Sequence, residues 1–557
     1  MFQLFGQDND AFYPPLKIPM HLSGNFGEIR SDHFHSGIDI KTQGTIGHRV
    51  YSIDCGYISR IKVQANGYGK SIYITHPGGY TSVYGHLDRY RDDIAEHVKR
   101  MQYKQRSFKV DLYLKPDQFQ LKKGDFIAYS GNSGGSSGPH LHFEVRTAGN
   151  QHPTNVLKYG FNIEDRVAPR YLSLFLNPAG RESHVNGSSE MFSSKIVKEK
   201  GYYTIPYGST IIASGTVGIS VEVFDYLNGS SNRCGVYKLQ LYVDEELTYS
   251  HTMDEFSFSE TRYINAHINY LERIRTGIKA HNLYRLPNDR LRIYNQQINH
   301  GALELNEEKT YDLRVVATDV AGNRSELKFT ITGEKRIIPA KNPPQGFVKS
   351  MKYNLLNRYD NGEVIVEIPP KALYQDMDFT FERTPAIPGT MSQVFHIASP
   401  EIPVHLPYSL SIKTTVTDPK LQEKLLLITL NDKGEIEEAG GEYHNGAVVA
   451  RLRKFGKFAI SADTVAPEII PVNGKAGGDL SERSSLRFTI RDDLSGIEKY
   501  EGYIDNSWVL FEYDMKNDLL TYTFDSDRIA RGSSHGLELY VTDSKGNVSL
   551  FRSTFTW

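Results

Sequence analysis

Ser130-Gly131-Asn132-Ser133-Gly134-Gly135-Ser136-Ser137-Gly138-Pro139-His140-Leu141-His142-Phe143-Glu144 is a glycine-rich loop running into an alternating segment. Strand side chains alternate with period two, so His140 and His142 share a face. The loop lacks the Gly-Lys-[Ser/Thr] ending of a P-loop and is not read as a phosphate cradle. Two earlier histidine clusters are His33-Phe34-His35-Ser36-Gly37-Ile38-Asp39 and Tyr84-Gly85-His86-Leu87. If His35 and Asp39 lie on a strand, their i, i+4 spacing also puts them on one face. Two such strands side by side converge two imidazoles and one carboxylate, a donor set that suits Zn²⁺. Three protein ligands leave a fourth position open, as catalytic zinc sites do, and zinc lowers the pKa of water to about 7. Each piece alone is weak. With 19 His in the chain, an H-x-x-x-D pair arises about once by chance, and a lone strand histidine is usually structural. The argument rests on their combination and order.

The surroundings are β-rich. Ser71–His76 and Thr81–His86, joined by Pro77-Gly78-Gly79, predict a β-hairpin. Asp92–Lys104 carries Ile94, Val98 and Met101 at helical spacing and predicts the one helix of this region. With a strand-like Ser107–Tyr113, it forms a connection from Asp88 to Leu121, longer than an ordinary loop. Lys99, Arg100 and Lys104 lie on its other face, and Arg106 and Lys109 follow.

Farther along, the chain repeats itself. Asp165-Arg166-Val167-Ala168-Pro169 matches Asp463-Thr464-Val465-Ala466-Pro467, and Thr318-Asp319-Val320-Ala321-Gly322-Asn323 matches Thr542-Asp543-Ser544-Lys545-Gly546-Asn547. Between these marks, Val221-Glu222-Val223-Phe224-Asp225 followed by Gly235-Val236 matches Phe488-Thr489-Ile490-Arg491-Asp492 followed by Gly496-Ile497 in the same order. The D-x-x-G-N unit reads as strand, turn, strand, with Asp and Asn bonding local backbone and Gly allowing positive φ. Each copy is expected to be an antiparallel β-sandwich of immunoglobulin-like type, the first with inserted material around Asp254–His300. A different β-domain lies between them, entered through the proline-rich Ile338–Pro344. The division is an N-terminal tail at 1–19, a metal-binding domain at 20–164, an immunoglobulin-like domain with insertion at 165–335, a separate β-domain at 336–462 and an immunoglobulin-like domain at 463–557. The fold class is all-β, with a helical insertion in the first domain.

Length agrees: 557 residues correspond to about three to five domains. Lys+Arg 64 against Asp+Glu 66 gives no global electrostatic case for nucleic acid, which is not an expected partner. Two cysteines exclude a disulfide scaffold or a four-cysteine zinc site; Cys55 and Cys234 are expected to be small buried residues in separate domains. No apolar run approaches the ~18 residues of a membrane span, so no transmembrane segment is expected. Met1–Gln7 reads as the tail of an export signal.

The motif flanks resemble the lysostaphin-type zinc endopeptidases of bacterial cell walls. That family shows H-x-G-x-D, then T-x-Y-x-H-L, then a Lys-Gly turn and a glycine-rich loop leading to H-L-H-F-E. Here the pieces read His35-Ser36-Gly37-Ile38-Asp39, Thr81-Ser82-Val83-Tyr84-Gly85-His86-Leu87, and Lys123-Gly124 through Glu144. The resemblance covers about residues 20–150 and implies an antiparallel zinc peptidase domain. It implies one zinc ion on His35, Asp39 and His142, with His86 and His140 as the non-ligand catalytic histidines. In that scheme His140 is placed to take a proton from water, and His86 to bond the oxyanion or share the base role. His33, whose i+4 residue is Gly37, receives no ligand role.

The function implied is a zinc metalloendopeptidase cutting peptide cross-links of peptidoglycan, exported to the periplasm or cell surface. Its partners would be carboxylate-rich stem peptides, which a basic insertion could help to bind as one wall of the groove near His86. The C-terminal β-domains would serve as spacers, wall binders or protein-docking surfaces. Two alternatives stand beside it: a non-catalytic regulator or scaffold binding the cell wall or a partner hydrolase, and a zinc peptidase acting on proteins.

Overall fold

The computed structural model describes residues 12–335, 342–431, 433–473 and 478–557. Part of the expected linker at 338–344 and most of the N-terminal tail lie outside these residues.

The first domain is one antiparallel sheet of eleven strands. In chain order these are β1 (Leu22–Gly24), β2 (Ile38–Lys41), β3 (Arg49–Tyr51), β4 (Gly56–Val63), β5 (Lys70–Thr75) and β6 (Tyr80–Tyr90). After helix α1 (Asp92–Gln105) come β7 (Val110–Tyr113), β8 (Gln120–Leu121), β9 (Phe126–Ser130), β10 (His140–Thr147) and β11 (Pro153–Thr154). The main path runs β1-β2-β10-β6-β5-β4-β7. The expected hairpin is β5–β6, and α1 occupies the helical segment. β10 is central: His142 lies opposite Asp39 on β2 and opposite Gly85 on β6. The apolar alternates of these strands, including Ile38, Ile40, Ile72, Ile74, Leu141 and Phe143, are fully buried, so the polar alternates converge on the other face.

The two repeat copies have the same strand order. Arg170–Val185 pairs with Ile212–Phe224 as Glu468–Asn473 pairs with Ser485–Arg491. A short strand runs parallel to Arg324–Gly333 in the first copy and to Val548–Thr556 in the last. The D-x-x-G-N turns also superimpose in their bonding. The Asn323 and Asn547 side-chain amides donate to Asp319 at 2.7 Å and to Asp543 at 2.6 Å. Each also reaches the carbonyl of the copy's first aspartate, Asp165 or Asp463. The last copy is a two-sheet sandwich. In the first copy, Ile212 and Ala213 pair in parallel with Thr332 and Gly333 and join all strands into one 12-stranded sheet. Between the copies, Phe347–Ala462 forms a six-stranded and a five-stranded sheet.

Two expectations need correction. Cys234 is buried, but Cys55 is exposed, on the turn leading into β4. Its neighbour Asp54 accepts its backbone N–H at 2.8 Å, so the turn is held by polar bonds and not by apolar packing. The helical insertion meets the last β-domain. Ile94 and Val98 join an apolar cluster that continues into Val509, Phe511 and Tyr522. The Tyr103 ring meets Trp508 edge-on at 5.4 Å, Arg528 lies over Tyr103 at 4.1 Å, and Lys99 pairs with Asp525 at 2.6 Å. Of the basic residues expected to border the groove, Lys99 is therefore engaged in docking, with Tyr103 beside it, while Arg100, Lys104, Arg106 and Lys109 stay exposed.

Trp508→Ala should loosen this contact, since an aromatic pair contributes about 0.5–1.5 kcal/mol beyond its buried area. Hydrogen exchange should quicken in α1 and in Ser507–Val509, with a lower melting temperature. Tyr207→Ala, at a fully exposed ring, should leave both unchanged.

Candidate metal centre

The structure brings His35, Asp39, His86, His140 and His142 to one face of the sheet; His140 and His142 are on β10 and Asp39 is on β2. His35 arrives differently from the strand-face expectation. β2 begins only at Ile38, and His35 closes a turn in which Gly27 N–H donates to its carbonyl and its own N–H donates to the Glu28 carbonyl, both at 2.9 Å. Gly37 makes the approach possible: a Cβ there would lie 2.3 Å from the Phe143 carbonyl oxygen. His33 points away, half exposed and paired with Asp32.

Hydrogen bonds fix the tautomers. His35 Nδ1–H donates to the Asn25 carbonyl at 2.8 Å, leaving a lone pair on Nε2. His142 Nε2–H donates to Glu144 at 2.7 Å, leaving a lone pair on Nδ1. These two lone-pair nitrogens are 3.1 Å apart, and Asp39 Oδ1 lies 3.1 Å from the first and 3.0 Å from the second. Three electron-rich atoms facing one another in a buried pocket repel unless a cation or proton lies among them. Without a cation, burial opposes protonating His142, but bonds to Asp39 and Glu144 outweigh it and carry its pKa up to about 9. The donor types, their lone pairs and their spacing fit one divalent ion on His35, Asp39 and His142.

The surrounding shell contains residues to which the sequence reading gave no role. Arg30 donates to Asp39 Oδ2 at 2.9 Å, leaving Oδ1 for the centre. Glu144 is fully buried and accepts from His142, from Ser36 at 2.7 Å, from Tyr68 at 2.5 Å and from Arg146 at 2.5 Å. Burial alone would raise its pKa; Arg146 and His142 instead hold the carboxyl well below its usual range. It is the carboxylate that orients a ligating imidazole. Its position was legible: Glu144 follows His142 at the same period of two that joins His142 to His140.

The other two histidines sit beside the donors, with ring centroids 4.7 Å apart. His86 has a left-handed backbone, φ 56°, where β6 leaves β10 and joins β9. Its Nδ1–H donates to the Ser133 carbonyl at 2.8 Å. Burial and the His142 and His140 imidazoles push its pKa down to about 3, so it rests neutral with a lone pair on Nε2. His140 Nδ1–H donates to the Gly138 carbonyl at 2.8 Å, and its Nε2 lies 3.4 Å from Asp39 Oδ1. The glycine-rich loop thus orients both rings through carbonyls. It folds tightly because Gly134, at φ 73°, passes so close to Gly69 that a Cβ would lie 2.3 Å from the Gly69 nitrogen.

The family model described as peptidase family M23 matches residues 33–103, which include His35, Asp39 and His86. The N-terminal domain is a peptidase family M23 domain. The sheet continues past the matched segment to β10, which adds His140 and His142 on the same face. A second family model, a Zu5-like domain, matches residues 348–463. An uncharacterized metalloprotease of Haemophilus influenzae is 33% identical over 124 residues, 22% of this chain. The chain spans 20% of the length of that relative. Among solved structures, the catalytic domain of the M23 protein EnpA from Enterococcus faecalis is 24% identical over 27% of this chain and 98% of its own, with a TM-score of 0.20. A zinc-containing peptidase from Vibrio cholerae is 28% identical over 26% of this chain and 39% of its own, with a TM-score of 0.20.

Zinc affinity of the M23 centre should fall about 10–100-fold in Glu144→Gln, the usual effect of removing an orienting carboxylate. Asp39→Ala should lower it further, and His33→Ala should leave it unchanged. Titration against a competing chelator measures all three, with circular dichroism to verify folding.

Proposed function

We propose that the protein is a zinc-dependent endopeptidase that hydrolyses peptide cross-links of bacterial peptidoglycan. The observation that carries the chemistry is the pairing of a three-donor centre with two further imidazoles, His86 and His140, oriented by loop carbonyls. The substrate class rests on the resemblance to cell-wall endopeptidases, and export to the periplasm or cell surface follows from that substrate. Among the described residues no helix is long and apolar enough to cross a membrane.

Zinc on His35, Asp39 and His142 would supply Lewis acidity to a scissile carbonyl and to water. The side chains do the proton transfer. Hydrolysis forms a C–O bond, breaks the C–N bond and moves one proton from water to the leaving amine. His86 and His140 each carry the N–H on Nδ1, already donated to a carbonyl, so each presents Nε2 as a proton acceptor. This favours a shared base role for His86 over a standing oxyanion donor. It can donate from Nε2 only after it has taken a proton, and that proton is then the one the amine requires. Arg30 and Glu144 keep the donor atoms aimed while the charge changes.

Digestion of purified muropeptides, read by mass spectrometry with and without a chelator, tests the proposal. The wild-type chain should cut cross-links and the chelated chain should not. His140→Ala and His86→Ala should each retain zinc and lose about 10²–10⁴-fold in rate, the usual share of a general base. A zinc-loaded wild-type chain that binds muropeptides without cutting them would instead place it among non-catalytic scaffolds.

A further inference from the structure

We infer that His251, His267 and His281, in the first β-domain of the repeat and its insertion, form a second metal site that takes zinc. His251 lies on the strand Glu246–Thr252, His267 ends the short helix Ile264–His267, and His281 lies on the strand His281–Asn282. They are 0%, 0% and 2% exposed. One ring nitrogen from each lies within 4.8 Å of the others, and the ring centroids are 4.8, 5.2 and 5.8 Å apart.

The hydrogen-bond directions decide what these rings present. Tyr249 donates its hydroxyl proton to the Asn282 carbonyl at 3.1 Å. Its oxygen, 3.0 Å from His251 Nδ1, must therefore accept the proton of that nitrogen. Tyr294 donates to the Asp289 carboxylate, so its oxygen likewise accepts from His267 Nδ1–H at 3.2 Å. Both histidines are thus fixed with a bare lone pair on Nε2. His267 Nε2 faces His281 Nδ1 at 3.1 Å, and His251 Nε2 is buried with no hydrogen-bond partner. A buried acceptor left unpaired costs about 1–3 kcal/mol. In the metal-free state a His281 proton can satisfy His267 but leaves His251 orphaned. A cation among the three rings satisfies all of them.

Protonation is a poor substitute, because burial disfavours the charged form of all three imidazoles. Three neutral imidazoles suit zinc and its first-row neighbours and not calcium or magnesium, which require oxygen ligands. The tyrosines act as outer-shell partners, and Asp289 behind Tyr294 supplies negative charge toward the ion. At this depth the ion has no open approach for a substrate, so its role is structural. It would cross-link the insertion helix to two strands. Phe34, next to the ligand His35, packs edge-on against His267 at 5.6 Å, so this link also stiffens the wall behind the M23 centre.

Zinc content of the full chain, measured by elemental analysis after zinc loading and exhaustive desalting, tests the inference without reference to activity. The wild-type chain should hold two equivalents, not the single ion expected from the M23 ligands. Asp39→Ala should hold one, and X-ray absorption on that variant should show imidazole nitrogens at about 2.0–2.1 Å. His267→Gln and, separately, His251→Gln should each lose one equivalent while keeping the M23 ion. If one variant fails to fold, the Asp39→Ala spectrum decides alone. Less than about one tenth of an equivalent in folded Asp39→Ala, or a zinc-edge spectrum without imidazole scattering, overturns the inference.

Discussion

Everything at the M23 centre depends on three lone pairs being held about 3 Å apart before any cation neutralises them. Left alone, His35 would rotate, Asp39 would turn toward water and the His142 ring would swing away. Each movement is opposed by a specific partner: the Asn25 carbonyl, the Arg30 guanidinium and the Glu144 carboxylate. Glu144 is itself a buried charge, which would cost several kcal/mol if unpaired. Its partners Arg146, Tyr68 and Ser36 therefore belong to the centre, although none can touch an ion there. The arrangement is preorganised: the repulsion among donors is borne by folding and released when a cation binds.

The strand face carrying His140 and His142 was legible from period two, and so were the β5–β6 hairpin, α1 and the order of the repeat. The reason for each was local. Alternation, a Pro-Gly-Gly turn and a 3.6-residue period need no knowledge of distant chain. What could not be read was whatever depended on remote partners. His35 was expected on a strand, yet it sits in a turn set by the close passage of Gly37 over β10. Arg30 belongs to no motif and acquires its role only because β2 puts Asp39 beside it. Lys99 and the neighbouring Tyr103 could not be read as docking residues because their partners Asp525 and Trp508 lie in the last domain. His251, His267 and His281 carry no spacing signal, since a strand, a helix end and a second strand bring them together.

The two copies of the repeat share a strand order but meet different loops of the M23 domain. The first copy braces the loop that carries His35. Its Phe256 stacks on Phe26 and lies beside Phe34, Thr261 accepts the Phe34 N–H at 2.8 Å, and Arg273 donates to the Arg30 carbonyl at 2.8 Å. All of these contacts come from the insertion at 254–300, the part the last copy lacks. The last copy braces the loop that orients His86. Lys516 donates to the carbonyls of Asn132 and Gly134, on either side of Ser133, and Glu512 pairs with Lys70 at 2.9 Å.

This division gives a reason why the M23 sheet, whose core continues into the last β-domain, is tied to both copies of the repeat. The donors on β2 and β10 are positioned by the sheet, which needs no help. The groups that must hold still off the sheet are His35, in its turn, and the Ser133 carbonyl, in a glycine-rich loop, and glycine-rich backbone is the most costly to order. Each of these two weak points receives bonds from one copy of the repeat. The β-domains therefore act on the site through backbone and packing and contribute none of its five polar residues, so their surfaces facing away from the M23 domain are left for other contacts.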